Sequence, residues 1–481
     1  MERVVDRENG VVMRVKALAN IVLLMVTVGC LIACSETQDD DVDASASTPD
    51  TGSDAGLSPM DAMPSAVDMT VTGPTFWQDV VPILDRSCMG CHQQGGVGPM
   101  KFDTYEETRT WGAAIVAATQ ARTMPPWLAK SDGSCGEFKD SEWLRDDELQ
   151  TLKDWFDGNM PEGTQTERTT KPVDRLDGTH SFTTPNFFPE RQGTVFAQFD
   201  EYRCFAYTPE DLENNRYFTG YEVFPGNGAI VHHVIGLFVN PDANSRVEGM
   251  TNGEQMAALD AESPDREGWP CFTGAGRGVR VQSDPIAWAP GQGAVRMPEG
   301  TGVRVPSNAV LVFQVHYNLA DPANVGSSDE TIVNVKFDSE VETPIRPVYI
   351  DYFLEDFRNN AIPRGEAAYE FRREADMRGT RSGRPIKIWG ILPHMHERGQ
   401  QLTATLKRPD GTNQCMVQVE QWDFAWQRSY WYDEPHIAMP EDVWEISCTY
   451  DTLDATANTL PGWGTRNEMC LTVIYISDED E

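Results

Sequence analysis

Apolar positions change their spacing along the chain. From Ala17 to Ala33 they are nearly continuous, with Asn20 the one strongly polar residue. Residues 35–73 hold almost no large apolar side chain and cannot bury enough surface to fold. A helical period then begins. Phe76, Val80 and Leu84 stand at i, i+4 and i+8 and predict one helix face, with Pro82 placed to kink it. Leu149, Leu152, Trp155 and Phe156 predict a second amphipathic helix within 146–159, stopped by Gly158. Beyond residue 175 come short β-rich runs such as Val310-Leu311-Val312-Phe313-Gln314-Val315, broken by Gly, Pro, Asn and Asp, the pattern of antiparallel sandwiches. Residues 358–385 carry many Arg and few strand signals and read as a loop-rich insertion near the start of the second sandwich. The expected organisation is a leader over 1–34, a linker over 35–73, a small all-α module over 74–165, and two β domains over 175–340 and 341–481.

The leader has Arg14 and Lys16 as its basic flank. The first twelve residues have mixed charge, which leaves Met13 as an alternative start. Leu31-Ile32-Ala33-Cys34 resembles a bacterial lipobox, which implies that Cys34 becomes lipid-modified and N-terminal after cleavage. A retained short anchor is the alternative. Ser35 in the next position resembles outer-membrane sorting. On either reading the mature chain is extracytoplasmic, held by a lipid anchor or a membrane segment at the periplasmic face or outer membrane. The eight Asp and one Glu of residues 35–73, with no Lys or Arg, make a self-repelling tether rather than a calcium site. Over the whole chain 39 Lys+Arg face 75 Asp+Glu, a net charge of −36, which argues against non-specific nucleic-acid binding. No interior run reaches the ~18 apolar residues of a membrane span.

Cys88-Met89-Gly90-Cys91-His92 has the C-x-x-C-H spacing of c-type haem attachment: two thiols add to the vinyl groups and His92 ligates the iron. A thioredoxin-like pair or half of a zinc site would use the same residues, but no thioredoxin-like βαβ pattern surrounds them and no second C-x-x-C follows. Helices entering and closing the module resemble small class I-like cytochromes c. A thioether sixth ligand suits electron transfer. Met124, Met100 and Met160 are the candidates, and Met124 is favoured because Pro125 and Pro126 fix its loop.

Five of the seven other histidines fall in three β-flanked clusters: His232-His233, His316 before Tyr317, and His394-Met395-His396. Residues i and i+2 of a strand share a face, so His394 and His396 can grip one ion. His232 and His233 point to opposite faces of a regular strand and share a metal only if the strand is distorted or they use different ring nitrogens. Imidazole suits copper and zinc alike.

The ordered set His-His, His-Tyr, His-x-His and Glu468-Met469-Cys470 resembles the copper type II, ascorbate-dependent monooxygenases, the family of dopamine beta-monooxygenase and peptidylglycine alpha-hydroxylating monooxygenase. The segment from Ala287-Trp288-Ala289-Pro290-Gly291 through Asn318 looks like the family too, and the resemblance covers roughly 175–481. It implies two linked, jelly-roll-like β-sandwich copper domains. It implies two copper ions, the first on His232, His233 and His316, the second on His394, His396 and Met469. It further implies a catalytic role for the Met-containing centre, dioxygen and a small molecule as substrates, and an ascorbate-like or protein electron donor. The family bridges the Cys after the Met ligand to an upstream strand, which implies Cys448–Cys470. Cys204–Cys271 is a plausible second bridge, and Cys135 and Cys415 are left unassigned.

The resemblance has limits. Leu392 and Pro393 stand where the peptidylglycine enzymes place a carboxylate-binding Arg. Leu471 and Val473 replace their Asn and Tyr, so a peptide-amidating substrate is not expected and a less polar one is. No amine-binding carboxylate is assignable from sequence. The expected function is a copper monooxygenase hydroxylating a C–H bond, with one covalent haem c supplying electrons. The alternatives are a non-catalytic copper and haem electron-transfer protein and a structural surface lipoprotein.

Overall fold

The computed structural model describes residues 73–478 except 97, 169–172, 179, 194–198, 215, 273, 352–359, 378–382 and 463–465. The leader, Cys34 and the acidic tether lie outside the described residues.

The first segment is helical. A single π turn over Phe76–Val80 runs into α1 (Val81–Ser87). Pro82 therefore sits in the first turn of α1, where its missing N–H costs nothing. There follow α2 (Tyr105–Thr110), α3 (Gly112–Gln120) and α4 (Asp146–Asp157). Thr104 and Glu107 close a capping box on α2, and Gly158 ends α4 as its spacing predicts. Phe76, Val80, Leu84, Leu149, Leu152 and Trp155 share one core, while Phe156 is only half-buried.

Residues 127–143 leave this core. Trp127, Leu128, Ala129, Phe138 and Trp143 pack instead into the core of the C-terminal sheets. Ala129 bridges Val419, Phe138 bridges Tyr432, and Cys135 is bonded to Cys415.

Among the described residues eighteen strands follow. The first eleven are β1 (His180–Thr183), β2 (Asp200–Tyr207), β3 (Tyr217–Phe224), β4 (Val231–Val239), β5 (Trp269–Pro270), β6 (Ser283–Trp288), β7 (Val295–Arg296), β8 (Thr301–Arg304), β9 (Val310–Asn318), β10 (Ile332–Asp338) and β11 (Thr343–Asp351). The rest are β12 (Tyr369–Asp376), β13 (Ile386–His394), β14 (Gly399–Lys407), β15 (Asn413–Val419), β16 (Tyr430–Ala438), β17 (Val443–Tyr450) and β18 (Leu471–Asp478). A fifth helix, α5 (Asn252–Ala261), lies between β4 and β5. The region 358–385, read from sequence as loop, contributes β12: Phe371 turns into the core while its Arg and Glu neighbours face solvent, which hid the strand behind its charge.

The strands form three sheets. One long sheet runs β1-β10-β3-β8-β11-β18-β13-β16, with β7 beside β3. A five-stranded sheet, β5-β2-β9-β4-β6, covers its first half and a four-stranded sheet, β12-β17-β14-β15, covers its second. Alternation does the sorting: Val333, Val335 and Phe337 of β10 point inward, as do Leu402, Ala404 and Leu406 of β14. β9 reads as a continuous apolar run because both of its faces are covered. Phe313 and Val315 enter the sandwich core, and Val312 joins a satellite cluster with Met256 and Leu259 of α5.

Candidate metal centres and the cavity between them

His232 and His233 lie on β4 opposite His316 on β9. A regular strand would split the first two. The register of β4 against β9 shifts between Val231 and His233, a bulge that brings both imidazoles to one side. The three rings converge through Nδ1: His232 Nδ1 is 3.2 Å and His316 Nδ1 3.3 Å from His233 Nδ1, and one ligand atom from each residue falls within 4.8 Å of the others. Asp200, on neighbouring β2, holds His316 Nε2 at 3.0 Å and accepts from Asn318 Nδ2 at 3.0 Å. The bond to Nε2 leaves Nδ1 as the lone pair in the cluster. Burial and the adjacent imidazoles hold His233 and His316 well below the usual histidine range, so both rings are neutral donors.

His394 ends β13 and His396 follows two residues on, their ring centroids 5.1 Å apart at 87°. Here the ring polarity is reversed. His394 Nδ1 is bonded to Gln427 Oε1, and His396 Nδ1 lies 3.0 Å from the Asn467 carbonyl, which leaves both Nε2 atoms as donors. Burial pushes His394 down to about 4. Glu468 ties the two strand ends together: its carboxylate accepts from the backbone N–H of His396 (2.9 Å), Arg398 (2.7 Å) and Met469 (3.3 Å). Burial raises Glu468 to about 8 against the lowering by these three donors. Cys448–Cys470 fixes the strand after Met469, and the Met469 carbonyl takes the Tyr450 hydroxyl at 2.8 Å.

His394, His396 and Met469 line one cavity of about 580 Å³, and His233 reaches it from the other side. Leu392, Leu471 and Val473 pack around Met469 to form an apolar wall joined by Ala287, and Ile235 and Ile286 also line the cavity. Asp284, on β6, is the carboxylate in this lining; burial pushes it up to about 7, and Tyr349 donates a hydrogen bond to it. Phe424 spans the two clusters, its ring 4.7 Å from that of His232 and 5.6 Å from that of His396.

The C-x-x-C-H segment forms the turn after α1, with His92 N–H donating to the Cys88 carbonyl at 2.9 Å. Cys88 and Cys91 are not bonded to each other. Burial pushes the Cys88 thiol up to about 12 and raises Cys91 as well, the opposite of the acidic thiolate a thioredoxin-like pair requires. His92 Nδ1 is engaged by the Met100 carbonyl at 2.9 Å and its ring stacks on Phe102, so Nε2 is the lone pair on offer. Two unbridged thiols and one oriented imidazole are the donors this turn offers. Of the methionines, Met160 fills the gap over Gly112, where its sulfur would lie 2.4 Å from an added Cβ. Met100 packs on the helical core. Met124 lines a space of about 10 Å³ beside Thr119, Trp127 and Trp143.

Asp200, Phe424, Asn467 and Gln427 had no sequence signal. Each reaches its histidine through strand register or a loop rather than a motif.

Residues 352–478 match the family described as copper type II ascorbate-dependent monooxygenase, C-terminal domain. The chain is similar to dopamine beta-hydroxylase of Canis lupus familiaris, 24% identical over 257 residues that cover 52% of this chain and 38% of that protein. It is similar to DBH-like monooxygenase protein 1 of Gallus gallus, 25% identical over 199 residues covering 39% and 32%. The dopamine beta-hydroxylase of Rattus norvegicus gives 25% over 266 residues, covering 54% and 40%. The chain thus spans under half the length of these curated relatives. Among solved structures, the infectious bursal disease virus VP2 subviral particle overlaps 64% of this chain and 74% of its own at 12% identity, with a TM-score of 0.17.

Proposed function

We propose that this chain is a copper-dependent monooxygenase that hydroxylates a C–H bond of a predominantly apolar small molecule. The observation that carries this reading is a pair of donor sets at one apolar cavity: two Nε2 atoms and a thioether side chain in its lining, and a cluster of three Nδ1 atoms that reaches it through His233. His232, His233 and His316 would hold one copper, and His394, His396 and Met469 the second. Neutral imidazoles with a soft thioether favour the cuprous state, and such an ion, when bound, supplies dioxygen activation. The chain's own residues do the rest. Leu392, Leu471 and Val473 exclude water from the reacting carbon and favour an apolar substrate body. Asp200, Gln427 and the Asn467 carbonyl fix which ring nitrogen His316, His394 and His396 present.

Insertion of one oxygen atom with release of the other as water takes two electrons from outside the substrate. Cys88, Cys91 and His92 would carry a haem c that supplies them, with Met124 as the sixth ligand, in place of or alongside an ascorbate-like donor. Three disulfides among the described residues suit an oxidising compartment outside the cytoplasm, where Cys34 would carry a lipid anchor. Among the described residues no helix is long and apolar enough to cross a membrane.

The test uses copper-loaded protein, a reductant and ¹⁸O₂, with phenylalkanes, phenylalkylamines and phenylalkanoic acids of equal chain length as probes. Label in a hydroxylated product, lost in His394→Ala, is expected, with the neutral probes turned over better than the acids. Fully loaded protein that cycles its metals yet labels no probe above the His394→Ala background would leave the electron-transfer alternative.

A further inference from the structure

One loop lies against both histidine clusters and, through Gly291, beside Cys91. Residues 420–429 join β15 to β16, and the side chains of Phe424, Trp426, Gln427 and Arg428 reach four different places. Phe424 lies against His232 and His396. Trp426 lies on Gly291, whose Cα is so closely covered that an added Cβ would stand 2.5 Å from the indole Cζ3. The Gly291 carbonyl is 3.7 Å from Cys91 Sγ. Gln427 bonds His394 Nδ1 through Oε1, and its orientation is set because Nε2 donates to the Phe424 carbonyl at 2.7 Å. Arg428 pairs with Glu142 at 3.4 Å and lies over Trp127, both in the 127–143 arm that Cys135–Cys415 fastens to β15.

We propose that this loop is the electron conduit, and that electrons reach the His394/His396/Met469 centre first, through Gly291, Trp426 and Gln427. The inference rests on the reading in which Cys88 and Cys91 carry haem and the two histidine clusters carry copper. Its physical basis is continuity. From Cys91 the path crosses one sulfur–carbonyl contact and one ring-on-backbone contact. It then follows covalent bonds into Gln427 and ends on a hydrogen bond to a ligand histidine. Toward His232 the loop offers only the face of Phe424, a contact without a hydrogen bond among those described. Gly291 has φ +85° and no side chain, which lets the indole lie directly on the backbone next to the thiol. Each transfer leaves one ferrous haem ferric and one cupric ion cuprous, with no bond made or broken. Two such transfers serve one hydroxylation, so an ascorbate-like or protein one-electron donor re-reduces the haem twice in each cycle. Phe424 then stands against a ring from each of the two clusters.

The experiment is flash photoreduction of the haem in the full chain, anaerobic and cupric, with haem reoxidation followed in the Soret band. Haem and copper contents are measured first for each variant. A fast reoxidation phase is expected in wild type and in His316→Ala, and its loss in His394→Ala. Trp426→Leu slows it at unchanged haem and copper content, Trp426→Phe restores part of the rate, and Gln427→Leu, compared with wild type at matched copper occupancy after loading, slows it too. A fast phase that survives His394→Ala and vanishes in His316→Ala would overturn the proposal, as would equal rates in wild type, Trp426→Leu and Gln427→Leu. Protein with two coppers and no covalent haem would instead defeat the underlying reading of Cys88 and Cys91, a separate result visible before any flash.

Discussion

Asp200 is the most informative residue to remove, because it acts on the three-histidine cluster without contributing a donor to it. Its carboxylate holds His316 Nε2 and Asn318 Nδ2, each at 3.0 Å, and His316 is fully buried. With Nε2 bonded to Asp200, the His316 lone pair is on Nδ1, facing His233. In Asp200→Ala the imidazole is free to hold its proton on either nitrogen, and the Nδ1–H form cannot ligate. Loss of such an outer partner costs about 10–100-fold in metal affinity, or ~1.4–2.8 kcal/mol. Two buried donors also lose their acceptor, at ~1–3 kcal/mol each. Asp200→Asn keeps an acceptor oxygen and loses only the charge, so its effect on copper is the smaller. The assay is chelator competition for copper in a Met469→Ala background, where the three-imidazole centre alone is populated, with thermal unfolding alongside. Wild-type affinity in Asp200→Ala, at unchanged Tm, would refute the argument that this carboxylate sets the tautomer.

Two further outcomes are expected. Replacing Cys448 and Cys470 by Ser opens a bridge spanning 22 residues, and the loop-entropy relation gives a loss of about 3 kcal/mol in chemical denaturation; an unchanged midpoint would count against the bridge as a clamp on the Met469 strand. Asp284 has a folded value of about 7 against 3.8 in the open chain, so the folded state keeps a proton that the unfolded chain releases. That stabilisation is complete below about pH 4 and is lost as pH rises through about 7, with a ceiling of ~4 kcal/mol that the Tyr349 hydrogen bond and partial exposure reduce. Asp284→Asn should therefore gain on wild type as pH rises across this interval; parallel Tm profiles would refute it.

The proposed donor residues stood out in the sequence because metal ligation concentrates rare side chains at fixed spacing. Even the difficulty was legible: His232 and His233 needed a distorted strand, and the bulge in β4 supplies it. Long-range partners were not. Asp200 meets His316 only because β2 pairs with β9 so that Asp200 lies opposite Asn318. Gln427 and Phe424 sit in a loop with no periodicity to read. The 127–143 arm carries Trp and Phe in no regular pattern, and its bond from Cys135 to Cys415 spans 280 residues, which no spacing rule reaches. β12 was hidden for a different reason: a strand with one solvated face can carry Arg and Glu at most of its positions, and a charge-rich run looks like loop until its partner strand is known.

The central claim is that this chain builds two separate copper centres facing one cavity. Metal content of the purified mature protein tests it most directly, measured after copper loading and removal of loose ions. The account predicts two coppers and one haem iron per chain, with His316→Ala and Met469→Ala each holding one copper and the double variant none. A chain that retains no stable copper, or whose copper content is the same in both single variants as in wild type, would contradict it.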